Sequence, residues 1–85
     1  MTNQSTVNQL MEIALRIREM REILGYSKQK MADLTEVSEE TYRLYETGTV
    51  DLPFTFIHKC ANVLGVEITV LLEGRSARQI GRAHV

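Results

Sequence analysis

Apolar residues in this chain recur at intervals of three and four, and most of the runs they form are closed by a glycine. Leu10, Ile13, Ile17, Met20 and Leu24 are spaced 3, 4, 3 and 4 apart, with Ala14 on the same side, and Gly25 follows. Residues so spaced share one face of an α-helix, which turns once in 3.6 residues. A glycine just past such a run suits a helix stop, because it takes the left-handed terminating conformation at no steric cost. Gly48, Gly65 and Gly74 stand in the same relation to later runs. Strand-period alternation and internal repeats are missing, so the spacing predicts short helices packed against one another.

The first helix is expected from about residue 7 to residue 24, with Arg16, Arg18, Glu19 and Glu22 covering its other sides. Residues 1–6 read as a disordered leader. Ser27 is a good N-cap for a second helix, its hydroxyl accepting from an otherwise unpaired N–H. Met31 and Ala32 would face inward and Lys28, Lys30 and Asp33 outward, with a stop near Thr35. Val37 is the expected apolar plug of the short turn that follows, and Ser38 caps a third helix over residues 39 to about 47. On it Tyr42 and Tyr45 share a face. A polar hairpin from Gly48 to Asp51 leads to Pro53, which opens a fourth helix where its missing N–H is harmless. Phe54, Ile57, Ala61 and Leu64 make that helix's expected apolar face, and a short fifth helix spans residues 68–72.

Length bounds the function. The 85 residues allow one domain, and a chain this short is marginally but attainably stable. Hydrophobic residues at 44% and charged residues at 25% are globular rather than disordered proportions. The single Cys60 excludes an internal disulfide and any multi-cysteine zinc site. His58 and His84 are too far apart in sequence to suggest a metal or catalytic cluster. No apolar run approaches the ~20 residues of a membrane helix, and the polar, uncharged start is unlike a secretory signal. The expected compartment is the cytoplasm, with Cys60 reduced. No nucleophile–base pair, metal set or phosphate loop supports an enzyme, and no cofactor is expected. The chain has room for a binding module.

Two short helices joined by a tight turn, with one helix before and two after, suggest a helix-turn-helix. The residues sharpen this. From Ile17 the sequence reads "IREMREILGYSKQKMADLTEVSEETYRLYETG", and from Leu52 "LPFTFIHKCANVLGVEITVLLEG". Residues 13–74 resemble the Cro and phage-repressor-like helix-turn-helix family (XRE-like). The similarity is greatest to the subgroup with a "TYxxYExG" third helix and an "LLxG" ending. In that subgroup the domain is often the N-terminal half of a regulator whose second half is a cupin barrel. The resemblance implies a five-helix repressor-like bundle, with residues 7–74 as a DNA-binding domain.

It also implies roles for particular residues. In the family a salt bridge links an Arg late in the first helix to a Glu near the end of the third; the matching positions are Arg21 and Glu46. Such a bridge would pin the reading helix to its scaffold and fix its presentation angle. The alternative is two surface charges that never meet, which contribute ~0–1 kcal/mol. Family members that bind DNA touch a phosphate with the start of the second helix, here Ser27, Lys28 and Gln29, whose backbone N–H groups and ammonium suit an anion. The first turn and a half of the third helix enters the major groove. The matching outward positions are Glu39, Glu40, Thr41, Arg43 and Leu44. Thr41 and Arg43 can hydrogen-bond bases or phosphates, and arginine is the usual reader of guanine.

The charges pull the other way. The whole chain is −1, but its last dozen residues hold Arg75, Arg78 and Arg82 and no acid, leaving −4 on the rest. Duplex affinity comes largely from neutralising phosphates. Glu39 and Glu40 stand where many repressors carry Gln, Ser or Arg. A Glu can accept from cytosine N4, or both acids can serve the helix start through its dipole. The loop from Thr49 to Leu52 has no base. Glu36 occupies a turn position where the family often has a left-handed glycine, so a distorted turn is expected.

Other features admit plainer readings. Cys60 is expected as a small core residue and His58 as a half-buried structural histidine. Met11 and Leu15 fall on the side of the first helix away from the core, as isolated exposed residues or as a surface for a dimer mate or further domain. Residues 75–85 form a tail. Its end, 80–85, looks like a sequencing adapter translated in frame, and the alternative is a genuine basic tail that helps to hold DNA. An adapter would mean a reading frame cut short near Gln79, which suits an absent C-terminal sensor domain. The reading that results is a sequence-specific DNA-binding transcriptional regulator, dimeric on paired half-sites ~34 Å apart. Specificity would come from Glu40, Thr41, Arg43 and Leu44. The rival is a helix-turn-helix that has lost DNA and docks a protein partner through its acidic third helix.

Overall fold

The computed structural model describes residues 4–74. The tail at 75–85 and the start at 1–3 lie outside the described residues. All regular structure among those described is helical: α1 (Gln4–Leu24), α2 (Lys28–Thr35), α3 (Glu39–Glu46), α4 (Phe54–Leu64) and α5 (Ile68–Glu73). α1 begins three residues before the expected start, so residues 4–6 of the expected leader are helical. No helix among the described residues is long and apolar enough to cross a membrane.

Each boundary has a local cause. Ser27 Oγ accepts from the Lys30 N–H at 3.0 Å and starts α2. Ser38 Oγ accepts from the Thr41 N–H at 3.0 Å and starts α3. Caps of this kind contribute about 1 kcal/mol each. α2 ends on Glu36, whose φ of 65° and ψ of 38° are left-handed. Its N–H turns back to the carbonyls of Ala32 and Asp33, and the Val37 N–H reaches Ala32 O at 3.0 Å. The turn expected to be distorted is therefore a regular left-handed stop. Glutamate holds a conformation suited to glycine, and its carboxylate meets Lys59 Nζ of α4 at 2.7 Å.

The core collects Ile13 and Ile17 of α1, Met31 and Ala32 of α2, Tyr42 of α3, and Phe56, Ile57, Cys60, Ala61 and Leu64 of α4. Leu71 of α5 and Leu52 of the α3–α4 loop complete it. Val37 packs against its edge, and Cys60 is fully enclosed as expected. Burial raises the Cys60 thiol pKa to about 12, with the charge of Glu46 adding to the shift.

The fourth helix departs from expectation. Phe54 is 61% exposed and Phe56 is the buried ring. Phe56 stacks against Tyr42 and Tyr45, with centroids 6.0 and 4.5 Å away. Pro53 is the N-cap of α4, one position before the helix. His58, expected half-buried, is exposed and lies near the Phe54 ring. Leu24, placed on the core face of α1 by periodicity, is also exposed, because α1 has passed the edge of the bundle there. Arg16, read as surface cover, is half-buried. Its Nη1 donates to the carbonyls of Leu71 and Leu72 at 2.9 and 3.2 Å, tying the end of α5 to α1.

Candidate nucleic-acid interface

The α2–turn–α3 unit is held from behind by a bridge between α1 and α3. Arg21 Nε donates to Glu46 Oε2 at 2.8 Å and Nη2 to Glu46 Oε1 at 3.3 Å, so the pairing is bidentate. Arg21 Nη1 donates to the Tyr26 carbonyl at 2.8 Å, which ties in the turn after α1. The Tyr42 hydroxyl donates to the same Glu46 Oε2 at 2.5 Å. The Glu46 carboxylate thus links α1 to the core tyrosine, while Arg21 ties in the α1–α2 turn. Its hydrogen bond, more than its charge, holds the Arg21 guanidinium pKa above the ordinary value. Burial, then Glu46, pushes the Tyr42 hydroxyl far above the usual tyrosine range.

On the outer side, Ser27 and Gln29 are exposed and Lys28 is half-buried at the first turn of α2. The Ser27 hydroxyl oxygen is occupied by its cap, so the N–H groups of Lys28 and Gln29 are the first-turn donors without a helical acceptor. On α3, Glu40, Arg43 and Leu44 are exposed, while Glu39 and Thr41 are half-buried. Three of these are already engaged. Ser38 Oγ donates to Thr41 Oγ1 at 2.9 Å, which draws that hydroxyl back to the cap. Arg43 Nη2 donates to Glu39 Oε2 at 2.6 Å along the helix. Glu40 and Leu44 are the outward α3 side chains among those expected to read bases that carry no such restraint. Both acids in the first turn of α3 lie where the helix dipole favours them.

Residues 17–71 match the family described as Helix-turn-helix. The chain belongs to the XRE-type helix-turn-helix family. The matched span runs from Ile17 to Leu71 and takes in the whole α2–turn–α3 unit with most of its supporting helices. The helix-turn-helix chain is also 35% identical over 63 residues to the "SPbeta prophage-derived uncharacterized HTH-type transcriptional regulator YonR" of Bacillus subtilis (strain 168). The match covers 74% of this chain and 58% of that relative, so the chain spans little more than half the relative's length. No solved structure matches.

A shallow cleft of about 300 Å³ opens beside this helix-turn-helix, where α1, α2 and α3 meet. Arg18, Lys28 and Arg43 line it, above the Arg21–Glu46 bridge. Arg18 was not singled out by sequence reasoning. Its position one helical turn before Arg21 is the signal that would have found it, since residues three apart share a helix face. A second cleft of about 380 Å³ lies between α1 and the end of α3, lined by Met11, Leu15 and Thr47 among others. Met11 and Leu15 are half exposed there, on the side of α1 expected to be free.

Proposed function

We propose that this domain binds double-stranded DNA as part of a transcriptional regulator, without catalytic activity, in the cytoplasm. α3 enters the major groove, and the first turn of α2 rests on a backbone phosphate through Lys28 and Gln29, with Ser27 holding that turn in place. The observation that carries this reading is the intact α2–turn–α3 unit, fixed to α1 by the bidentate Arg21–Glu46 pair. A reading helix must be presented at a constant angle, because base contacts tolerate little displacement. The outward α3 positions Glu39, Glu40, Thr41, Arg43 and Leu44 form the groove-facing set. The family and the regulator-type name of the relative support the same reading.

Two extensions belong to this proposal. The domain acts as a homodimer on half-sites one helical turn apart, ~34 Å. The second extension is a C-terminal sensor domain in the whole protein.

The test is a salt titration on duplex DNA. A domain making two or three phosphate contacts should bind random duplex weakly, in the ~10⁻⁴–10⁻⁶ M range, with affinity falling steeply as salt rises. Absence of binding at low salt would leave the protein-docking role of the acidic α3 as the better account.

A further inference from the structure

We infer that Arg43 is a phosphate contact rather than a base reader, and that Arg18 of α1 joins it and Lys28 around one backbone phosphate of duplex DNA. This rests on the DNA-binding reading above and assigns two residues within it. The juxtaposition that carries it is the cleft between α1, α2 and α3. Arg18, Lys28 and Arg43 come from three different helices to line one space of about 300 Å³. A water molecule's share of liquid is about 30 Å³, so a phosphate group and several waters fit.

The charge there favours an anion. The floor of the cleft is the Arg21–Glu46 pair, whose side chains are 9% and 5% exposed and neutralise each other. Beside it Arg18, Lys28 and Arg43 line the cleft with Glu22, and Glu39 pairs with Arg43, so the cations outnumber these acids by three to two. Lys28 has no ion-pair partner among the described residues. Among the described residues Arg18 and Arg43 are each paired with one acid, a turn away on the same helix, Glu22 at 3.3 Å and Glu39 at 2.6 Å, and both arginines are more than half exposed. Such exposed helical pairs are weak. Charge-assisted arginine–phosphate bonds are stronger and can be bidentate. An arriving phosphate therefore displaces the acids.

Helix geometry separates this site from the base-reading face. Residues four apart lie on one row, so Glu39 and Arg43 share a row, and Glu40 and Leu44 form the next. Arg43 of the first row lines the cleft, whereas neither Glu40 nor Leu44 of the second does. Direct readout then falls to the Glu40–Leu44 row, with Arg43 positioning the helix beside it.

The experiment is a salt series of duplex affinity for wild type, Arg18→Ala, Arg43→Ala, Arg43→Lys and the double alanine variant, on a panel of duplexes that differ one base pair at a time. Circular dichroism checks that each variant remains folded. Each alanine change should weaken every duplex by the same factor and lower the log–log salt slope by part of the ~0.9 that one phosphate contributes, the double alanine variant losing most of it, and the Lys variant should keep the slope. A parallel titration of the free protein with inorganic phosphate separates the two sources of the anion. Inorganic phosphate that shifts the Arg18 and Arg43 side-chain signals, with duplex affinity unaltered by the alanine changes, would mean a free-anion site and overturn the assignment. An Arg43→Ala variant that loses discrimination at one base pair with its slope unchanged would make Arg43 a base reader. Wild type that binds no duplex would remove the DNA-binding reading together with this one, whereas duplex binding indifferent to Arg18 removes this inference alone.

Discussion

Arg21 and Glu46 stand 25 residues apart in the chain and meet through two hydrogen bonds, at 2.8 and 3.3 Å, with both side chains nearly sealed from water. A pair in that setting differs from a surface ion pair. Its attraction is poorly screened, but each charge has given up its hydration and depends on the other. The structure adds two further bonds, from Arg21 to the Tyr26 carbonyl and from Tyr42 to Glu46, so that little hydrogen-bonding capacity is left unused. No buried side-chain nitrogen or oxygen among the described residues lacks a partner.

Removing either partner should therefore be costly. Arg21→Ala and Glu46→Ala each strand a buried charge, an arrangement that typically costs about 3–5 kcal/mol. The double variant should lose far less than the sum, because both changes remove one interaction. Glu46→Gln keeps the shape and an acceptor for Tyr42, and should lose less than Glu46→Ala. Urea unfolding of the four proteins measures the cycle. Additive losses would show that the two residues act independently.

Glu36 offers the opposite case, a position where the native residue is not the best one. A side-chain-bearing residue in the left-handed region is strained by roughly 1–2 kcal/mol, and Glu36 sits there at φ 65°. Its Lys59 partner is exposed and lowers the Glu36 carboxyl pKa chiefly through their hydrogen bond. A depressed carboxyl pKa adds stability above the ordinary value and loses it as pH falls through the folded value. Glu36→Gly relieves the strain and forfeits only this water-exposed pair. It should raise Tm by a few degrees near neutral pH, and thermal melts at pH 7 check this. A fall in Tm would show that the Lys59 contact outweighs the strain.

Gly48 is fixed by space as well as by its φ of 74°. A Cβ there would stand 2.8 Å from the Met11 Cα, a backbone atom that cannot swing aside. Gly65 has the same φ and nothing within 4 Å. Gly65→Ala should cost roughly the 1–2 kcal/mol of left-handed strain. Gly48→Ala must also push α1 from the end of α3 and should cost clearly more. Equal losses in chemical denaturation would mean that α1 moves away freely.

Cys60 predicts an alkaline transition. In the folded protein its thiol pKa rises to about 12 from an ordinary 9.0, because burial disfavours the thiolate. The native state then keeps a proton that the unfolded state releases. This stabilisation is fully present below pH 9 and is lost progressively as pH rises toward 12. Its full size is on the order of a few kcal/mol. Cys60→Ala should flatten the fall in stability over that window, measured by urea midpoints from pH 8 to 11. The thiol should also react with a disulfide reagent only as fast as the domain opens.

These cases show what the chain discloses before it folds. The caps Ser27 and Ser38 and the inward pair Met31 and Ala32 are local features, decided by a hydroxyl three residues from an N–H or by one turn of helix. Arg21 and Glu46 were legible through family resemblance, since nothing local joins residues so far apart. Phe54 was placed in the core because it fits the stripe through Ile57, Ala61 and Leu64, whereas the buried ring is Phe56, which meets the tyrosines of α3. Arg16 was read as a surface charge because its acceptors, the carbonyls of α5, are 55 and 56 residues away. At the candidate interface, the family resemblance marked five α3 residues as outward, of which Glu40, Arg43 and Leu44 are exposed and Glu39 and Thr41 half-buried. It could not show that Thr41 is drawn to its cap or that Arg43 lines one cleft with Arg18 and Lys28.

The acids of α3 provide the most direct test of its placement. Glu39 and Glu40 bring two negative charges to the start of the helix proposed to enter the groove, in a chain whose residues before the tail carry −4. Near phosphates each opposes association, and at low salt that opposition is least screened. Glu39 also restrains Arg43 at 2.6 Å, so neutralising it frees a cation as well as removing an anion. The dipole interaction lost at the helix start is about 0.3–1 kcal/mol per acid, small enough for the domain to remain folded. The Glu39→Gln, Glu40→Gln double variant should therefore bind random duplex more tightly than wild type, with the gain shrinking as salt rises. Preference among base pairs should blur, because Glu40 lies on the row left to read bases. Fluorescence anisotropy on labelled duplexes at several salt concentrations gives both quantities. A folded double variant with no gain at low salt would mean that α3 does not face DNA, and the search would turn to a protein partner for its acidic surface.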